Sequence, residues 1–190
     1  MINATERIVR DQKDSELIQR YLDGEQAAFT ELYKKYHSRL TGYCYRLLLD
    51  VARTEDVVQN VFAKALESMD SLRHPESFYH WLFTVARNEV YGILRKNRSN
   101  TTVELREDVW ETETPHDTAV RREMVQIVRD CLDRLKIEYR EVLLLRQFEG
   151  LSYREIAELT GSSVSSVESR LFKARKALIK QLKPYMDVGE

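Results

Sequence analysis

The stretch Ser152-Tyr153-Arg154-Glu155-Ile156-Ala157-Glu158-Leu159-Thr160-Gly161-Ser162-Ser163-Val164-Ser165-Ser166-Val167-Glu168-Ser169-Arg170-Leu171-Phe172-Lys173-Ala174-Arg175-Lys176 reads as two helices joined by a tight turn. Ser152, with Glu155 at the third helical position, forms a capping box. Gly161 stops the helix that the box opens, and Ser162 or Ser163 caps a second helix running to about Leu182. Two helices with a short Gly-containing turn are the anatomy of a helix-turn-helix, whose second helix enters the major groove of duplex DNA. Val167, Leu171, Ala174, Leu178 and Leu182 form its core stripe. Arg170, Lys173, Lys176, Lys180 and Lys183 share another face, and with Arg175 they make residues 170–183 basic without a single acid. That face suits phosphates. The small hydroxyls Ser162, Ser163, Ser165 and Ser166 suit close approach to phosphates and base edges.

Whole-chain charge hides this block. The 190 residues carry 30 basic and 31 acidic side chains. Residues 1–95 are nearly balanced, 96–118 hold 3 basic and 6 acidic residues, and 119–190 hold 14 and 11. A basic C-terminal part therefore follows an acidic connector. The chain is 43% apolar, with 3 prolines and 6 glycines, which excludes collagen-like and Pro/Gly-rich low-complexity classes. No run approaches the ~18 apolar residues of a membrane span, and the first residues lack the apolar core of a signal peptide. Cys44 and Cys131 stand far apart without metal-ligand spacing, and small core residues in a reduced cytoplasmic protein are expected.

Working toward the N-terminus, the period stays helical. Val120, Met124, Ile127, Val128, Cys131, Leu132 and Leu135 mark one helix; Val142, Leu143, Leu145 and Phe148 mark the next, closed by Gly150. From Asn97 to Pro115 the pattern is lost over a stretch too long for a loop inside a compact domain. It reads as a linker with apolar beads at Val103, Leu105, Val109 and Trp110, which either dock on a partner or pack back onto one domain. Before the linker, a helix from about Ser77 to Lys96 carries Phe78, Trp81, Leu82, Val85 and Ala86 on one side. Trp81 reads as core from its helical spacing, whereas Phe78 is open between core and base stacking. The turn Ser71–Glu76 is punctuated by Pro75. A helix opening at Thr54 as N-cap carries Val57, Val58, Val61, Phe62, Ala65, Leu66 and Met69. Ala28, Leu32, Tyr36 and Leu40 define a stripe, and Leu17, Ile18, Tyr21 and Leu22 a shorter one after Ser15. No strand pattern stands out, so the fold class expected is all-α.

Two blocks carry more than anatomy. Leu135–Arg146, Glu149–Glu158 and Ser169–Leu178 together resemble the fourth conserved region of bacterial sigma factors. Glu55–Phe62 followed by Phe78–Asn88 resembles the second. Two such regions joined by a short acidic linker are similar to the extracytoplasmic-function (ECF) subfamily, and the likeness spans about 15–95 and 120–185. The resemblance implies a region 2-like bundle over 15–96, a flexible linker over 97–118, and a region 4-like helix-turn-helix domain over 119–185. It implies a promoter-specificity subunit of RNA polymerase, with no reaction of its own, no cofactor, no metal and no small-molecule substrate.

Carried residue by residue, the resemblance assigns Asp56, Gln59, Asn60 and Phe62 to binding the core polymerase. It assigns Arg73, His74, Ser77, Phe78, Arg87 and Asn88 to melting and reading the −10 promoter element, a task that needs an unstacked base. Ser162, Ser163, Ser165, Ser166, Arg170, Lys173, Arg175 and Lys176 fall to duplex DNA at the −35 element. It also implies an anti-sigma factor as partner, and a linker able to mimic nucleic acid in the polymerase channel. Two departures stand out: Glu168 replaces the Lys of many relatives, and Lys136 stands where many have Pro. An acid at 168 either accepts from a cytosine amino group or repels phosphate. Residues 1–14 match nothing. The alternatives are a stand-alone helix-turn-helix regulator, in which the Asp56–Asn88 block has no role, and an enzyme. For the enzyme, His37, His74, His80 and His116 show no ligand spacing and no phosphate loop exists.

Overall fold

A computed structural model of the chain describes residues 4–72, 74–97 and 119–186. Arg73, most of the linker and its Trp110 lie outside the described residues. The described residues fall into two compact units, one on either side of residue 106. Eight α-helices are described: α1 Ala4–Leu22, α2 Gln26–Leu48, α3 Val51–Ser68, α4 Phe78–Asn97, α5 Ala119–Asp133, α6 Ile137–Gln147, α7 Tyr153–Thr160 and α8 Val164–Met186. Two 3-10 turns, Met69–Ser71 and Pro75–Ser77, join α3 to α4. No strand occurs among the described residues.

In the N-terminal unit α2 is the central element, packed by α1, α3 and α4. Its stripe Ala28, Leu32, Tyr36 and Leu40 is wholly buried, as the four-residue spacing predicts. Against it lie Val57, Val58, Val61 and Ala65 of α3 and Tyr79, Leu82, Phe83, Ala86 and Val90 of α4. The α4 core face is thus rotated from the one expected. Tyr79 and Phe83 point inward, while Trp81 and Val85 are only half-buried.

Two helix starts differ from the sequence expectation. α3 begins one turn before Thr54, because the Asp50 side chain accepts from the Arg53 N–H and so caps it. Thr54 is buried inside the first turn, its hydroxyl donating to the Asp50 carbonyl. α1 begins at Ala4 instead of after Ser15. Its early turns carry a polar core that apolar periodicity does not register. Asp14 is fully buried, accepting from Lys35 Nζ and from the Tyr36 hydroxyl. The Arg10 guanidinium lies 4.1 Å from the Tyr79 ring centroid.

Burial holds the Asp14 carboxyl above its ordinary value near 3.8, outweighing the hydrogen bonds from Lys35 and Tyr36 and the charges of Lys35 and Arg10. The folded state therefore holds this proton more tightly than the unfolded chain does. The resulting stability is fully present below about pH 3.8 and is lost as pH rises through the raised value. Asp14→Asn is expected to remove that decline. Denaturant titrations of both proteins from pH 4 upward should show the wild type losing stability relative to the variant; parallel curves would contradict the assignment.

In the C-terminal unit α8 packs against α5, α6 and α7. Val142, Leu144, Leu145, Leu151, Ile156, Val167, Leu171 and Ala174 form the core. Lys136 precedes α6 with φ −56°, an angle that proline also adopts, and its carbonyl accepts from the Tyr139 and Arg140 N–H groups. Lysine at this position therefore leaves the turn intact. Both cysteines are free and buried, and burial pushes the Cys44 thiol up to about 12.

Candidate nucleic-acid interface

The helix-turn-helix is built by local chemistry. The Ser152 hydroxyl accepts from the Glu155 N–H at 3.3 Å, and the Glu155 carboxylate accepts from the Ser152 N–H at 2.7 Å. At the other end Gly161 takes the left-handed conformation, φ 63°, and donates to the Ala157 and Glu158 carbonyls. Ser162 N–H also returns to Ala157 O, at 2.9 Å. The next helix opens immediately, with the Ser163 hydroxyl accepting from the Ser166 N–H at 3.2 Å. Ser163 is thus the cap, and the Ser162 hydroxyl pairs with that of Thr160 at 2.8 Å.

Gly161→Ala tests this turn. A Cβ would meet open space, so only the left-handed backbone opposes it. The cost expected is about 1–2 kcal/mol, measured by denaturant unfolding; an unchanged midpoint would show that another geometry serves.

Val167, Leu171 and Ala174 lock α8 into the core, which fixes what it offers to solvent. Ser163, Ser165, Glu168, Lys173, Arg175 and Lys176 are exposed, and Ser162, Ser166 and Arg170 half-exposed. The basic residues expected along this helix are therefore presented by one rigid element. Leu178 and Leu182, expected in the core, are half-buried. Phe172, which is not among the expected site residues, is 67% exposed in the midst of the basic residues. Its position four after Glu168, off the Val167–Leu171–Ala174 stripe, was the available signal.

In the N-terminal unit α3 exposes Asp56, Gln59 and Asn60 on one side. Asp56 lines an open hollow of about 290 Å³ with Arg53, Ile93 and Lys96. Phe62, expected beside them as a contact residue, is 4% exposed. Its ring sits 4.6 Å from that of Tyr33 and 6.4 Å from those of Phe29 and His37, so it supports the surface from beneath.

The turn before α4 shows a second correction. His74 and Ser77 are exposed, with Ser77 N–H donating to His74 O at 2.9 Å. His74 Nδ1 lies 3.0 Å from Glu76, whose carboxyl is held below its ordinary value by its own backbone N–H and by His74. Phe78, however, is 1% exposed, 5.8 Å from the Tyr36 ring, and its face is unavailable to a base. The half-buried Trp81 ring stacks on it at 6.3 Å. Farther along, Asn88 is exposed and the Arg87 guanidinium lies over the Tyr91 ring at 4.4 Å. Ser77, Trp81, Thr84 and Asn88 recur at helical spacing, so the turn and one side of α4 form a continuous surface.

Among the described residues no group of His, Cys, Asp or Glu could hold a metal, and no helix is long and apolar enough to cross a membrane. The geometry defines a class: two helical units, one a helix-turn-helix whose second helix exposes basic residues, the other with a polar helix face and an exposed turn. Comparison with known families gives the same class. The sigma-70 region 2 model matches residues 32–100 and the sigma-70 region 4 model residues 125–178. The chain is 32% identical to the RNA polymerase sigma-H factor of Pseudomonas aeruginosa, over 94% of its own length and 98% of the relative's. It is also 32% identical to the ECF RNA polymerase sigma-E factor of Haemophilus influenzae, over 91% and 97%. Among solved structures it is similar to the sigma factor RpoE in complex with the anti-sigma factor NepR from Bartonella quintana. That match has 25% identity, a TM-score of 0.68, and coverage of 85% of this chain and 98% of the other. CnrH in complex with the cytosolic domain of CnrY gives 25%, 0.66, 94% and 99%. The protein belongs to the ECF family of RNA polymerase sigma factors.

Proposed function

We propose that this chain is a cytoplasmic promoter-specificity subunit that joins core RNA polymerase, performs no reaction of its own, and divides its work between its two units. The carrying observation is the rigid basic helix of a helix-turn-helix in one unit, paired with a second unit whose match is to sigma-70 region 2. Asp56, Gln59 and Asn60 form the polymerase-binding face, with Phe62 beneath. His74, Ser77, Arg87 and Asn88, together with Arg73, take the −10 element as it opens. Phe78 acts there as the buried footing of the turn, and Trp81 extends the surface. Ser162, Ser163, Ser165, Ser166, Arg170, Lys173, Arg175 and Lys176 take the −35 duplex, where hydroxyls near the helix start meet base edges and cations meet phosphates.

Regulation by an anti-sigma factor is supported by the two similar structures, one solved with the anti-sigma factor NepR and the other with the cytosolic domain of CnrY. The test is transcription in vitro. Sigma-free core polymerase with this chain, on genomic fragments of the encoding organism, should start transcripts at a restricted set of sites sharing two upstream elements. Starts identical to those of core polymerase alone would refute the reading.

A further inference from the structure

All of α1 lies before the first family match, which begins at residue 32, yet α1 packs directly on the Pro75–Ser77 turn. The contact runs through named atoms. Fully buried Asp14 accepts from the Tyr36 hydroxyl. The Tyr36 ring in turn meets Phe78 at 5.8 Å and Tyr79 at 6.0 Å, the first two residues of α4. Arg10 also lies over the Tyr79 ring, at 4.1 Å, nearer than Arg39 at 5.3 Å. Arg10 is 9% exposed; its Nε donates to Asp11 at 2.9 Å, while its buried Nη1 has no hydrogen-bond partner among the described residues, and the guanidinium face rests on the ring. Lys35 closes the set, donating to the Arg10 carbonyl at 3.5 Å and to Asp14.

A polar network of this kind is costly to bury, and its hydrogen-bonded members Asp14, Lys35 and Tyr36 hold one geometry. Apolar residues in its place would pack with comparable stability and less definition. Its location gives that definition a use: it fixes the two residues on which the exposed turn His74–Ser77 is mounted.

We propose that Arg10, Asp14 and Tyr36 are positioning residues for promoter reading: α1 holds the first turn of α4 so that the exposed turn presents one fixed shape to an unstacked −10 base. The proposal rests on the assignment of that turn to −10 DNA. None of the three residues touches DNA; they act through Phe78 and Tyr79.

The test uses holoenzyme on a pool of promoter templates randomised across the −10 element, with transcripts counted by sequence. The proteins compared are wild type, Tyr36→Phe, Arg10→Ala, Arg10→Lys and the turn variant His74→Ala with Ser77→Ala. Each is normalised by the amount co-eluting with core polymerase. Tyr36→Phe removes only a hydroxyl, and Arg10→Ala removes the cation. Either is expected to flatten the preference for the favoured −10 base by about ten-fold, within the discrimination that one well-placed polar contact to a base provides. Arg10→Lys keeps a cation over the ring and should hold the preference within about two-fold of wild type. A merely structural defect lowers all templates alike and leaves base ratios unchanged. Unchanged ratios in both Tyr36→Phe and Arg10→Ala, with altered ratios in the turn variant, would overturn the proposal alone. Unchanged ratios in the turn variant as well would overturn the −10 assignment together with it.

Discussion

Replacing Phe78 by alanine is expected to destabilise the N-terminal unit by about 3–5 kcal/mol, the range for deleting a buried aromatic ring. The side chain is 1% exposed and meets both Tyr36 and Trp81. A cavity there would undermine α2, the turn before α4 and the Trp81 ring together. Small domains hold only about 5–15 kcal/mol in total, so much of the unit's margin would go. Trp81→Ala makes the contrast. Its half-buried ring leaves less area to lose, and the stability cost should be clearly smaller, with the larger effect on promoter opening. Denaturant unfolding of both variants decides: equal losses would contradict the burial pattern on which the division between support and surface rests.

The second large effect concerns α8. Replacing Arg170, Lys173, Arg175 and Lys176 by alanine removes four cations from an element whose core stripe stays untouched. If each meets one phosphate, log affinity falls with log salt at a slope of roughly −3.6 from these four. Between 50 and 200 mM salt that amounts to roughly 150-fold. In holoenzyme other basic surfaces add their own slope, and the difference between wild-type and variant holoenzyme isolates this contribution. Promoter-binding isotherms at several salt concentrations are the measurement. Identical slopes would mean that this face does not meet DNA.

How much of this was legible in the sequence depends on what kind of side chain carried the information. The Ala28–Leu32–Tyr36–Leu40 stripe, the Ser152 capping box and the Gly161 turn could be read directly. In each, one periodicity or one local hydrogen-bonding pattern decides the backbone. Residues 4–14 of α1 were not legible, because Arg10 and Asp14 are held inside by each other's neighbours and not by apolar character. The start of α3 was expected at Thr54, and the structure caps the helix one turn earlier with Asp50, a residue of equally good capping chemistry.

The candidate sites divide in the same way. Asp56, Gln59 and the α8 cations are polar residues whose exposure follows from neighbouring apolar stripes. Phe62, Phe78 and Trp81 are aromatic, equally suited to core or surface, and only packing partners decide between the two. Tyr33 and Tyr36 draw Phe62 and Phe78 inward, whereas Trp81 falls on the rim of α4. The α4 register differs from the expected one for a related reason: Tyr79 and Phe83 fit the core as well as Trp81 and Val85 do on hydropathy alone.

The central claim is that this chain works as a subunit of RNA polymerase and grips it through α3. The most direct test is co-elution of the purified protein with sigma-free bacterial core polymerase, beside an Asp56→Arg, Gln59→Ala double variant. Both residues are exposed, so the variant should fold like the wild type, which circular dichroism and unfolding would verify. The account predicts co-elution of the wild type and its loss in the folded variant. A wild-type protein that ignores core polymerase yet binds duplex DNA alone would contradict it, and would leave a free-standing helix-turn-helix regulator in its place.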